Sequence, residues 1–222
     1  MSDLDRYLKK LGLLYEDKKN KKESDERSKR RSKQKVFNMA LLNDWDYFIT
    51  LTFSAEKVKD RYALEDLRRT TLLYFKRLSK RYDIKYLLVP ELHRDGALHW
   101  HGLIKDPNNK VKMVQANTKS SSDREVYNIV SWADNKGYNT AVKLDKDKES
   151  ISKVSTYISK YITKNESKIF KSYYYCSQGL ISEPTVLCDE VIPIDFFLDG
   201  ENMYENEFCY IKTVYKKNRI YS

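Results

Sequence analysis

The sequence predicts an α+β fold built on a mainly antiparallel sheet, and three observations predict it. Tyr47-Phe48-Ile49-Thr50-Leu51-Thr52-Phe53 is a run of aromatic and β-branched residues with the composition of a central strand. Segments 86–91 and 98–104 flank a glycine-containing turn and read as a hairpin. Segments 63–82 and 149–164 instead repeat their apolar residues with the helical period.

The elements follow in order. Leu4, Leu8, Leu11 and Leu14 predict a short amphipathic helix over 3–15. Residues 16–35 are almost wholly charged or polar and form a basic arm, expected to become helical from Glu23 to Leu42 and to stop at Asn43. The strand at 47–53 is followed by a helix that carries Leu64, Leu67, Thr71, Phe75 and Leu78 on one face, with Arg68, Arg69, Lys76, Arg77, Lys80 and Arg81 outside. After the hairpin, the polar stretch 106–124 is expected to be a long hairpin or loop, 126–132 a strand or short helix, and 138–144 a strand. The helix at 149–164, an extended segment at 168–175 and apolar stretches at 185–197 and 208–215 complete the pattern. The predicted organisation is a basic helical extension (1–35), a central domain (36–180) and an acidic C-terminal extension (181–222).

Hydrophobic residues make up 41% of the 222, enough for a core. The net charge of +10 is unevenly spread: residues 1–40 hold thirteen Lys/Arg against seven Asp/Glu, 41–180 hold 25 against 17, and 181–222 hold four against eight. A polyanion is therefore the expected partner of the first two segments, and eighteen tyrosines suit the stacking of unpaired bases. Three cysteines without CxxC spacing read as reduced thiols, and no apolar run has the length of a membrane span or the pattern of a signal peptide, so the expected location is cytoplasmic.

All three histidines fall within nine residues, at 93, 99 and 101. His99 and His101, two apart on a strand, share a face. The turn decides what joins them. A two-residue Asp95-Gly96 turn would leave Glu91 on the other face. A three-residue loop, Arg94-Asp95-Gly96 with Gly96 left-handed, pairs Glu91 with His99 and puts Glu91, His93, His99 and His101 on one face. The second register is favoured, because glycine is what its third position prefers. Glu91, His99 and His101 are then an open three-ligand site for a divalent cation; the alternative is a pair of satisfied, partly buried histidines. Mixed nitrogen and oxygen ligation suits Mn2+, with Mg2+ also able to serve.

On the helix at 149–164, Ile151, Val154, Ile158 and Ile162 form the predicted buried stripe, with Tyr161 and Tyr157 at its border and Lys153, Lys160 and Lys164 further round. Cations beside a phenol favour the phenolate and neutralise a phosphate under attack. The simpler account is that both tyrosines pack at the edge of the core.

Three blocks in this order resemble the HUH endonucleases, specifically rolling-circle replication initiators of small phages and bacterial plasmids. Phe48–Phe53 is similar to the first motif; Glu91-Leu92-His93-Arg94-Asp95-Gly96-Ala97-Leu98-His99-Trp100-His101-Gly102 to the second; Tyr157–Lys164 to the third. The resemblance covers roughly residues 36–180. It implies a sheet of about five antiparallel strands in a ferredoxin- or RRM-like arrangement flanked by helices. It implies metal ligands Glu91, His99 and His101, and nucleophile candidates Tyr157 and Tyr161 with Lys160 and Lys164 as electrostatic helpers. The implied activity is metal-dependent nicking and joining of single-stranded or origin-hairpin DNA through a 5′-phosphotyrosine. No Gly-x-x-x-x-Gly-Lys-Ser/Thr loop is present, so strand separation is expected from a host or separate helicase, with a polymerase extending the 3′ end. A transposase or mobilisation relaxase would share this chemistry, and a basic binding protein without catalysis is the alternative of a different class.

Overall fold

The computed structural model describes Tyr7 and residues 13–120, 124–164 and 168–184, together with two short strands near the C-terminus. By contacts the chain divides into two compact units, Met1–Pro184 and Thr185–Ser222. In the second, β8 (Met203–Glu205) pairs antiparallel with β9 (Tyr210–Lys212). The predicted helix at 3–15 lies almost wholly, and the predicted apolar stretch at 185–197 entirely, outside the described residues.

The first unit begins with α1 (Leu13–Leu42), which starts ten residues before the predicted Glu23. The extra turns are exposed and polar, so no apolar periodicity announced them; straight-chain Lys and Glu are good helix formers without burial. The end is where Asn43 was expected to stop it, and the Asn43 amide donates back to the Met39 carbonyl at 2.8 Å. Because α1 crosses residues 35 and 36, the predicted extension and domain are joined by one continuous helix.

The remaining elements of this unit are β1 (Tyr47–Thr52), α2 (Leu64–Tyr82), β2 (Lys85–Leu92), β3 (Leu98–Lys105), β4 (Met113–Lys119), β5 (Glu125–Ile129), α3 (Val130–Asn135), β6 (Asn139–Lys143), α4 (Lys148–Lys164) and β7 (Tyr175–Cys176). Seven strands form one antiparallel sheet in the order β4-β5-β6-β1-β3-β2-β7. The two beyond the expected five are the edges. The polar stretch predicted as hairpin or loop supplies β4, and only Tyr175–Cys176 of the extended 168–175 segment pairs, with β2. The segment at 126–132 is both of its alternatives in succession, β5 and then α3.

Strand alternation sends side chains to two different cores. Ile49, Leu51, Trp100, Ile104 and Leu88 point to the face covered by α2 and α3, with Leu67, Phe75 and Trp132. Leu87, Val89 and Leu103 point to the other face. There α1 and α4 bury Val36, Met39, Ala40, Ile158, Tyr161 and Ile162. Removing a side chain such as Ile158, fully buried between α4 and the sheet, typically costs about 2–5 kcal/mol. The start of α4 is fixed in turn: the Asp147 carboxylate accepts from the Ser150 amide at 2.9 Å, and Lys146 bridges Asp44 and Asp46 at the entry to β1. This second face carries the histidines.

Candidate active site

The β2–β3 hairpin adopts the three-residue-loop register. Glu91 pairs with His99 and Leu92 with Leu98, the His93 amide donates to the Ala97 carbonyl at 2.8 Å, and Gly96 takes φ 87°. That angle is the left-handed bulge conformation that glycine adopts without strain. Gly102, just past His101, has a different cause: a Cβ there would lie 2.7 Å from Leu88 Cδ2 and 2.8 Å from the Leu87 carbonyl, so the strands can approach only without one.

Glu91 and His101 are brought together. The Glu91 carboxylate lies diagonally across the strands from His101 and receives its Nε2–H at 2.6 Å, while Lys164 Nζ at the end of α4 reaches the other carboxylate oxygen at 2.5 Å. The Nδ1 of His101 faces the Thr50 hydroxyl at 3.3 Å. His99 lies further along the same face, its Nδ1 3.4 Å from the Thr52 hydroxyl and its ring stacked on His93 at 5.0 Å. His93, the ambiguous fourth member, is exposed and held by Asp95 at 3.3 Å, which in turn pairs with Arg61 at 2.7 Å.

Burial dominates the electrostatics of His101. It pushes the imidazole down to about 4, with the charges of His99 and Lys164 acting the same way against the favourable hydrogen bond from Glu91. Burial pushes the Glu91 carboxyl up, but hydrogen bonds from Lys164 and His101 outweigh it and hold the group below the usual carboxylate range. Since His101 is neutral at physiological pH, Lys164 is the cation that keeps Glu91 ionised. His99 is also lowered, by burial first and then by His93. Both histidines therefore offer neutral rings, the form that ligates a metal.

The donor set of two imidazoles and one carboxylate fits a divalent cation in chemistry and in shared face. Among the described residues, however, no three His, Cys, Asp or Glu side chains are already gathered at ligand distance. Glu91 and His101 share a proton where a cation would sit, and His99 is turned to Thr52. Binding requires that proton to leave and the Lys164 contact to loosen.

These shifts set a pH dependence. An unfolded histidine takes a proton near pH 6.5, the folded His101 only near 4, so the unfolded chain binds more protons in between and stability falls as pH drops through that window. Glu91, lowered in the fold, adds a loss in the same direction at the acidic end. Thermal melts in chelator-containing buffer should show a lower Tm at about pH 4.5 than at about pH 7, and a smaller drop in His101→Gln. An equal drop in the variant would remove His101 from the account.

The two tyrosines of α4 are not equivalent. Sequence periodicity puts both at the border of the core, but Tyr161 is 6% exposed and Tyr157 48%. The buried side of α4 is rotated from the predicted stripe: Ser155 and Ser159 are buried while Ile151 and Val154 are only partly so, because small serines let the helix approach. The Tyr161 ring stacks on His101 at 3.6 Å, and its hydroxyl donates to the Tyr157 oxygen at 2.7 Å. Burial first, then that hydrogen bond and the neighbouring Tyr157 and Glu91, raise the Tyr161 phenol strongly. Phe48, 5.4 Å from the Tyr157 ring and 6.2 Å from His101, fills the space between them. Of the two lysines, Lys164 is in the site and also lies 5.1 Å from the centre of the Tyr161 ring, whereas Lys160 is exposed and has no ion pair among the described residues.

Beside the histidines the same face of the sheet opens into a trough of about 510 Å³, lined by Thr50, Thr52, Asn117, Asn128, Thr140 and Tyr138 among others. Its lining is neutral and rich in hydrogen-bonding groups, and Tyr138 is 74% exposed at its edge. Sequence reasoning missed this surface, along with the Thr50 and Thr52 contacts to the histidines. The alternation Thr50-x-Thr52 marks one face of β1, but which strand it pairs with was not written locally.

Residues 46–166 match a family of replication-associated proteins, the ORF2 type, which is more than half of the chain and runs from the entry to β1 past the end of α4. No curated protein and no solved structure matches the chain.

Proposed function

Because the chain belongs to the ORF2-type family of replication-associated proteins, we propose that it initiates rolling-circle replication by cutting single-stranded DNA with Tyr157. One observation carries this reading: an exposed tyrosine whose oxygen already accepts a hydrogen bond, one helical turn from a phenol stacked on the Glu91–His101–Lys164 cluster.

In this mechanism the unpaired strand lies along the trough, where Thr and Asn side chains can meet base edges and Tyr138 offers a stacking face. Tyr157 Oη attacks the phosphorus and the bond to the 3′ oxygen breaks. The phenolic proton leaves, and the departing oxygen takes one up to become a 3′-hydroxyl. The phosphate remains joined to Tyr157 as a 5′-phosphotyrosine. A 3′-hydroxyl returning to that phosphorus reverses the exchange and joins the ends. One phosphodiester is traded for another, so no nucleotide is consumed. Tyr161 donates to Tyr157 Oη and so stabilises its phenolate; the strong rise of its own phenol argues against Tyr161 as the first nucleophile. Glu91, His99 and His101 would hold Mn2+ or Mg2+, which as a Lewis acid would polarise the scissile phosphate. Lys164 keeps Glu91 ionised and supplies positive charge near the phosphate.

Incubating the protein with single-stranded origin DNA and Mn2+ should yield a protein–DNA adduct that survives a denaturing gel. No adduct with any origin sequence would favour binding without catalysis. Lys164→Ala should slow adduct formation by about tenfold or more, while Lys160→Ala should change it by less than about threefold. The reverse order would shift the electrostatic role to Lys160.

A further inference from the structure

The surface least accounted for by this chemistry is α1, which precedes the residues that match the family. We propose that its outward face binds duplex DNA, entering the major groove beside the single-stranded segment that is cut.

At about 100° per residue, Ser24, Arg27, Arg31, Gln34 and Lys35 fall in one arc of the helix, and all five are exposed. The arc contains no acid. Glu23 lies at its margin, Glu26 and Asp25 lie off it, and the last two are near Tyr173. Among the described residues Arg27, Arg31 and Lys35 enter no ion pair, so their charges face solvent. Gln34 donates to Asn38 at 2.8 Å, which keeps it along the same row.

Charge alone would suit any polyanion; two further features select a duplex. Residues 22–35 include no aromatic side chain, so nothing on this face can stack on unpaired bases as single-strand binders do. An exposed helix about 10–12 Å across matches the B-DNA major groove of about 12 Å. The Arg–Gln composition of the row supplies donors for phosphates and for base edges there. Anchorage supplies the link to function. Val36, Met39 and Ala40, on the continuation of the same helix, pack with Ile158, Tyr161 and Ile162 of α4. A duplex on α1 is thus held by the element that positions Tyr157. The choice of DNA over another duplex polyanion rests on the replication reading; the charge and groove argument does not.

The test compares the full chain with Arg27→Ala/Arg31→Ala/Lys35→Ala by fluorescence anisotropy over a salt series. The probes are a DNA duplex of about 20 base pairs, a single strand of equal length and a double-stranded RNA of the same sequence. Alanine preserves the helix, which unchanged circular dichroism would verify. The expected result is duplex affinity lowered about ten- to hundredfold, with the salt slope shallower by up to about 2.7, the share of three phosphate contacts. Single-strand binding and adduct yield on a single-stranded oligonucleotide should stay within about twofold, because the trough meets the bases. Unchanged duplex affinity, or an equal loss for single strands, overturns the proposal. So does wild-type affinity for the RNA duplex equal to that for DNA, since the deep, narrow A-form groove excludes a helix. Duplex binding that behaves as expected in a protein that forms no adduct would sink the nicking reading and leave this one standing.

Discussion

Tyr157→Phe should abolish the covalent protein–DNA adduct, a fall of about a thousandfold or more to background, with the fold unchanged. The side chain is half exposed, so losing one hydroxyl removes the nucleophile without opening a cavity. Tyr161→Phe is the informative partner. It keeps the ring that stacks on His101 at 3.6 Å and removes only the hydroxyl that donates to Tyr157 at 2.7 Å. A hydrogen bond to a charged group is worth about 1.5–3 kcal/mol, so nicking should slow about ten- to hundredfold while the adduct still forms. Two tyrosines that alternate as equals would instead give two similar defects.

The second large effect concerns the cluster beneath them. His101→Ala and Glu91→Gln should each lower Mn2+-dependent nicking by about a hundredfold or more, a ligand lost being at least as damaging as its supporting contacts. Their structural consequences differ. His101→Ala also removes the ring on which Tyr161 rests, so a lower Tm accompanies the loss of activity. Glu91→Gln keeps the shape and the possibility of a hydrogen bond to His101 but leaves Lys164 without its carboxylate, so Tm should move little. Metal affinity read by Mn2+ electron paramagnetic resonance should fall in both. An unchanged affinity would take Glu91 and His101 out of the ligand set.

Much of this site was legible in the sequence because its geometry is local. The hairpin register follows from three loop residues and the left-handed preference of Gly96, and it alone places Glu91 opposite His99. The strand period puts His99 and His101 on one face. Features that depend on tertiary contact were not legible. Helical periodicity gave Tyr157 and Tyr161 nearly equal standing. Their difference arises because His101, from another strand, lies under Tyr161 and because Ser155 and Ser159 rotate α4 inward. The same holds for the lysines: both follow a tyrosine by three residues, yet only Lys164 meets Glu91. The sheet's five inner strands were readable from β-branched, aromatic runs. The edge strands β4 and β7 were not, since a polar edge and a two-residue pairing leave almost no pattern.

The central claim is that DNA is joined to Tyr157, and peptide mapping by mass spectrometry of the nuclease-trimmed adduct tests it most directly. The expected result is a nucleotide mass on Tyr157 in the wild type and in Tyr161→Phe, and none in Tyr157→Phe. A nucleotide on Tyr161 in the wild type, or an adduct persisting in Tyr157→Phe, would contradict it.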